Sequence, residues 1–94
     1  MRNFFGTMDN NHNNNNDNAL LTAQNVRRDI VGELDAIVQY LDHYYATTDS
    51  KARQTIMDIV GEEQVHVGQL FGLLFSLDPT SKTNFEKGYN EFLK

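Results

Sequence analysis

The chain has 94 residues, a net charge of −5 and no cysteine. That length allows one small domain, and the missing thiols exclude disulfides, zinc-finger-type sites and thiolate-held iron–sulfur clusters. The acidic balance, with a pI near 4.9, argues against a nucleic-acid binder: Arg27 and Arg28 alone make no phosphate-tracking patch.

Residues 1–18 read as a flexible tail. Asp9 to Asn18 is DNNHNNNNDN, a low-complexity run of a poor helix former with nothing apolar to bury. His12 within it reads as solvated. Ahead of the run, Phe4 and Phe5 sit at the end of this tether and offer a short apolar plug for a docking partner or protein shell. The plainer reading is a disordered start with two incidental aromatics. No signal peptide is recognised, and no stretch approaches the roughly 20 apolar residues that cross a bilayer, so a soluble cytoplasmic protein with no membrane partner is expected.

Residues 19–94 read as a helical domain. Val26, Ile30, Leu34, Ile37 and Leu41 recur at spacings of three and four, which predicts a first helix over about 22–46 with Thr22 as a possible N-cap. Thr47 to Ser50 suit a turn and the next cap. A second helix begins near Lys51, carries Ile56, Val60, Val67, Leu70 and Leu74 on its stripe, and ends at Asp78-Pro79, because proline stops a helix and restricts its predecessor. Phe85, Tyr89 and Phe92 mark a short last helix over about 81–93, folded back over one end. A connection of about four residues makes the two long helices antiparallel. Two helices cannot bury both wide apolar faces, so the expected solution is a four-helix bundle built from two chains.

Polar residues interrupt the stripes at three places. On a wheel centred on Glu63, Ile56 and Val67 fall within roughly 40°, Leu70 within roughly 20° and His66 at about −60°. Glu33 shares the stripe of Val26, Ile30 and Ile37. No Lys or Arg lies on either stripe nearby. Core-facing carboxylates need a partner, and a bound cation is the most economical one. In Glu63-x-x-His66 the side chains lie one turn apart and can reach one ion. Mixed O/N ligation suits iron, manganese or zinc better than calcium. Glu62 and His43 point away from these lines: Glu62 reads as a surface residue or one backing the ligands, His43 as a surface or interface residue, and Tyr44 as a core tyrosine. Gly32, Gly61, Gly68 and Gly72 fall inside helices, where each costs about 1 kcal/mol relative to Ala; they suggest close helix–helix approach around the site or, more plainly, tolerance of a weak helix former.

The run GELDAIVQY…IMDIVGEEQVHVGQLFGLLFSLDP resembles the ferritin-like superfamily, especially its encapsulated-ferritin and rubrerythrin-type members, over about residues 20–94. The resemblance places the family's first metal glutamate at Glu33, its E-x-x-H pair at Glu63 and His66, and its near-metal tyrosine at Tyr40. It implies a di-iron protein with ferroxidase-type activity. Fe(II) would be oxidised by oxygen or peroxide for iron handling or oxidative-stress protection, with Glu33, Glu63, His66 and Tyr40 as the catalytic set. This chain has one helix pair where full-length ferritins carry two, which implies a half-length form. Its site would then be shared in a homodimer or ring of dimers, inside the cytoplasm or a protein compartment. Rubrerythrin's cysteine-ligated domain is absent, and no C-terminal docking peptide of encapsulated cargo is evident. The alternative is a non-catalytic helical assembly module, with a structural metal or none, docking through its N-terminal tail.

Overall fold

The structure, a computed structural model, describes residues 10–94, and their side chains from residue 17 onward. The Phe4 and Phe5 plug lies outside the described residues. Three helices follow in order: α1 (Asn10–Ala46), α2 (Ser50–Leu77) and α3 (Pro79–Leu93). The fold is all-α, with α1 and α2 forming the expected antiparallel hairpin and α3 packing against α2.

Helix α1 begins at Asn10, about twelve residues ahead of the expected start at Thr22, and so includes part of the segment read as a tail. Thr22 is therefore not a cap. Each Asn costs up to about 0.7 kcal/mol relative to Ala. Extending an existing helix adds a backbone hydrogen bond per residue without a new nucleation cost. The packed segment beyond Leu20 supplies that nucleus.

The other ends match their local chemistry. Asp49 caps α2, its carboxylate accepting the Ala52 N–H at 2.8 Å. Arg53 fastens the turn from the other side. Its Nη1 donates to the carbonyls of Tyr44 and Thr47 at 3.1 and 3.0 Å, and its guanidinium lies 4.0 Å over the Tyr44 ring. Asp78 closes α2 and opens α3: its N–H donates to the Leu74 carbonyl, its carboxylate accepts from Ser81, and Pro79 fills the first helical position.

The hairpin seam holds the buried residues Ala23, Val26, Ile30, Val60 and Leu74. Phe71, Phe75 and Phe85 pack in a triangle of ring centroids 5.2–5.8 Å apart and hold α3 against α2. The molecule measures 60 × 32 × 20 Å with a radius of gyration of 18.2 Å. A compact chain of this length would have about 12 Å. The excess follows from laying a 37-residue helix beside a 28-residue one: apolar surface outside the single seam has no opposing layer.

Candidate metal centre

Glu33 lies near the middle of α1, and Glu63 and His66 one turn apart on α2, at the edge of the seam. Their ligand atoms all lie within 4.8 Å of one another. Among the described residues this is the one such cluster of acidic, histidine or cysteine side chains. His66 Nδ1 is 2.9 Å from Glu63 Oε1 and 3.0 Å from Glu33 Oε1. Carboxylates only accept, so Nδ1 carries the proton and donates to both. The Glu63 hydrogen bond, above all, raises the His66 pKa above its ordinary value. Glu33 acts the same way, and partial desolvation opposes them. The imidazole Nδ1 thus sits between two carboxylates contributed by two helices.

Sequence periodicity placed these side chains in the core; the single chain places them at its surface. His66 is 51% exposed, Glu33 27% and Glu63 15%. A helical wheel gives direction but not depth, and depth here depends on what covers that side of the hairpin.

The donor set fits a transition-metal ion of the mixed O/N class. Two carboxylates and one imidazole converge from two rigid helices, and no Lys or Arg forms an ion pair with either carboxylate among the described residues. Three protein ligands leave an iron or manganese ion short of a filled shell. A di-iron carboxylate bundle uses a Glu from each of two helices and a Glu-x-x-His from each of two more. In residue type and spacing, Glu33, Glu63 and His66 match half of that set.

Tyr40 lies on α1 two turns beyond Glu33, about 10 Å along the axis, and is half-buried. No hydrogen bond joins it to the three clustered residues. Glu62 and His43 are exposed, as expected. Tyr44 is half-buried and packs edge-on to Tyr45 at 5.3 Å. The expected close approach at the glycines is absent within the chain: a Cβ added at Gly32, Gly61, Gly68 or Gly72 would meet nothing within 4 Å. A surface depression of about 430 Å³ at the hairpin turn, lined by Tyr44, Arg53 and Met57 among others, contains none of the three clustered residues.

Sequence reasoning missed the contact that sets the other end of the hairpin. Arg27 Nη2 donates to Asp78 Oδ2 at 2.8 Å and to Ser81 Oγ at 2.6 Å, fixing α1 to the α2–α3 corner. These bonds, the Arg27 one first, hold the Asp78 carboxyl below its ordinary pKa. The pattern Asp78-Pro79-x-Ser81 was a legible cap signal. Nothing local pointed to Arg27 as its partner.

No protein-family model matches the chain. It is similar to the ferritin-like–encapsulin shell fusion protein of Pyrococcus furiosus, at 36% identity over 66 residues, covering 70% of this chain and 19% of that protein. It is also similar to the encapsulin nanocompartment cargo protein EncC of Myxococcus xanthus, at 29% identity over 70 residues, covering 74% of this chain and 54% of that protein. The aligned segment thus spans little more than half of one curated relative and about a fifth of the other. In three dimensions the chain resembles the crystal structure of the encapsulated ferritin domain from Pyrococcus furiosus, with a TM-score of 0.75 and 33% identity, covering 78% of this chain and 74% of that one.

Proposed function

Because the chain belongs to the ferritin-like superfamily, in its half-length encapsulated-ferritin form, we propose that it is a ferroxidase-type protein whose di-iron site is completed between two copies. The observation that carries this reading is the convergence of Glu33, Glu63 and His66 within 4.8 Å at the edge of a hairpin, half of the family's ligand set on one chain. A two-fold axis beside that edge would bring a second Glu33, Glu63 and His66 opposite the first.

Fe(II) is the substrate, and oxygen or peroxide accepts its electrons; a bound iron pair supplies one-electron chemistry at adjacent ions. The protein supplies position and charge. Glu33, Glu63 and His66 of each copy would hold the ions, the two glutamates supplying carboxylate oxygens and His66 an imidazole nitrogen. The Nδ1 proton that His66 now shares with the carboxylates must leave as a cation enters. Tyr40, on the same side of α1 and two turns away, would tune the site by hydrogen bonding. Manganese or zinc would occupy the same donor set without completing the reaction in the same way. The relatives' association with encapsulin shells supports a place inside a protein compartment, where oxidised iron would be retained. No helix among the described residues is long and apolar enough to cross a membrane.

The exposed apolar residues outside the seam favour one other reading, a helical assembly module with a structural metal or none. Adding Fe(II) under air separates the two. A fast rise in near-ultraviolet absorbance, saturating at about two irons per dimer, supports the ferroxidase. No saturable rise, with normal assembly, leaves the assembly module.

A further inference from the structure

Beyond Glu33, α1 carries a series of tyrosines that leads from the metal cluster to the hairpin turn. With Glu33 as zero on the helical wheel, Tyr40 lies at roughly −20° and about 10 Å along the axis, and Tyr44 at roughly +20° and about 16 Å. Both are half-buried. Tyr45 follows at roughly +120°. It is 74% exposed, and its ring meets the Tyr44 ring edge-on at 5.3 Å. Phenols therefore stand in succession between the clustered ligands and solvent.

Other easily oxidised side chains are scarce. The chain has no Cys, no Trp and four Tyr. Three of the four belong to this series; the other, Tyr89, stacks on Phe85 in α3. The series is also not part of the buried core, which comprises Ala23, Val26, Ile30, Val60 and Leu74. The Arg53 guanidinium lies 4.0 Å over the Tyr44 ring and opposes any positive charge on it. Tyr44 can then lose an electron only together with its phenolic proton. Tyr44 lines the surface depression at the turn, so water is at hand to take that proton.

We propose that Tyr40, Tyr44 and Tyr45 form a relay that carries a surplus oxidising equivalent from the iron site to the hairpin turn. The proposal rests on the ferroxidase reading. The relay acts when peroxide meets a site holding a single Fe(II). One electron from Fe(II) alone would split peroxide into hydroxide and a free hydroxyl radical. With the relay, the O–O bond breaks by taking two electrons and two protons, which gives two waters. Fe(II) supplies one electron and becomes Fe(III). Tyr40 supplies the other, and its phenolic O–H gives up its proton, leaving a neutral phenoxyl radical; solvent supplies the second proton. Tyr44 and then Tyr45 pass an electron back along the helix. Each loses its phenolic proton to water as the radical before it regains one. The radical ends on exposed Tyr45, where a reductant of the thiol or ascorbate class restores the phenol by giving an electron and a proton.

The test uses the full-length protein, loaded without air with a single Fe(II) per pair of chains and mixed with hydrogen peroxide. One portion is frozen rapidly for electron paramagnetic resonance; another is digested, and oxidised tyrosines are located by mass spectrometry. The expected signal is a tyrosyl radical that narrows in protein grown on ring-deuterated tyrosine. Oxidation at Tyr45 should exceed that at Tyr89 at least tenfold, although Tyr89 is itself 57% exposed. Tyr44→Phe keeps a ring beneath Arg53; with helix content confirmed by circular dichroism, it should cut Tyr45 oxidation at least tenfold. Equal oxidation of Tyr45 and Tyr89 would mark a diffusing hydroxyl radical and overturn the relay. Unchanged Tyr45 oxidation in Tyr44→Phe overturns it too, as does normal iron oxidation with no tyrosyl radical; either result leaves the ferroxidase reading standing. Absence of any iron oxidation would instead sink that reading, and the relay with it.

Discussion

His66 Nδ1 on α2 lies 3.0 Å from Glu33 Oε1 on α1, and this bond crosses the seam at the hairpin's edge. It makes the cluster depend on the register of the two helices rather than on one helix alone. Glu63 and His66 are neighbours by helical geometry. Glu33 joins them only because the Asp49 cap and the Arg53 clamp fix the turn, and Arg27 fixes the opposite end.

The ligands give the first prediction. Glu63→Ala or His66→Ala should remove most bound iron and iron oxidation while leaving helix content intact, because each side chain reaches toward solvent at the seam's edge and neither belongs to the buried core. In a shared site each substitution deletes two ligands, one on either side of the two-fold. Metal analysis after purification, together with circular dichroism, checks this. Full iron occupancy in both variants would show that the ligands lie elsewhere.

The Arg27–Asp78 pair gives a pH prediction. Its carboxyl pKa is depressed in the folded state. Its stabilisation is therefore fully present above the unfolded value near 4 and is lost as pH falls through the lower folded value. Asp78→Ala should cost about 1–2 kcal/mol at neutral pH. About 1 kcal/mol of that comes from the lost α3 cap, and the remainder from an ion pair discounted for the partial exposure of Arg27. The same variant should lose less stability than wild type as pH falls below about 4. Thermal melts across that range would show parallel curves if Asp78 were not linked to folding.

What the sequence revealed and what it hid follow one physical division. Features set by neighbours within about a turn were legible: the α2 bounds from Asp49 and Pro79, the hairpin from its short connection, and Glu63 with His66 from their spacing. Glu33 was legible as a charge on an apolar stripe. The start of α1 was missed because propensity argued against Asn10–Asn18, and propensity is a small term once a packed helix is available to extend. Arg27 with Asp78 was missed because 51 residues separate the partners and neither breaks a pattern. The packing partners of α3 were hidden for the same reason: its place depends on Phe85 choosing Phe71 and Phe75, a choice no periodicity encodes.

The N-terminal segment gives a third prediction. The buried core begins at Ala23, so deleting residues 1–18 should leave the hairpin and iron oxidation intact. The helical signal should fall only by the share of residues Asn10–Asn18. Docking through Phe4 and Phe5 is the function expected to suffer. A large drop in melting temperature would mean that the segment packs against the bundle or its neighbour.

The last prediction links metal to assembly. Pairing two copies across the metal side brings two Glu33 and two Glu63 together with two His66, in a setting drier than the single chain provides. Without metal, the only groups in that cluster able to carry positive charge are the two imidazoles, and even both protonated they do not match four carboxylates. They leave excess negative charge facing itself at close range, which opposes pairing. A divalent ion relieves the repulsion and binds the assembled form with a fuller ligand set, so by mass action it stabilises that form. Sedimentation at low protein concentration and neutral pH, with and without Fe(II) or redox-inert Zn(II), should show a metal-dependent shift to larger species. The shift should add to any pairing that persists in chelator. Glu33→Gln with Glu63→Gln should abolish the metal response and assemble at least as well as wild type without metal, since amides carry no charge to repel. A wild-type protein that binds iron fully yet stays monomeric at high concentration would show that one chain supplies the whole site, and the shared centre would have to be abandoned.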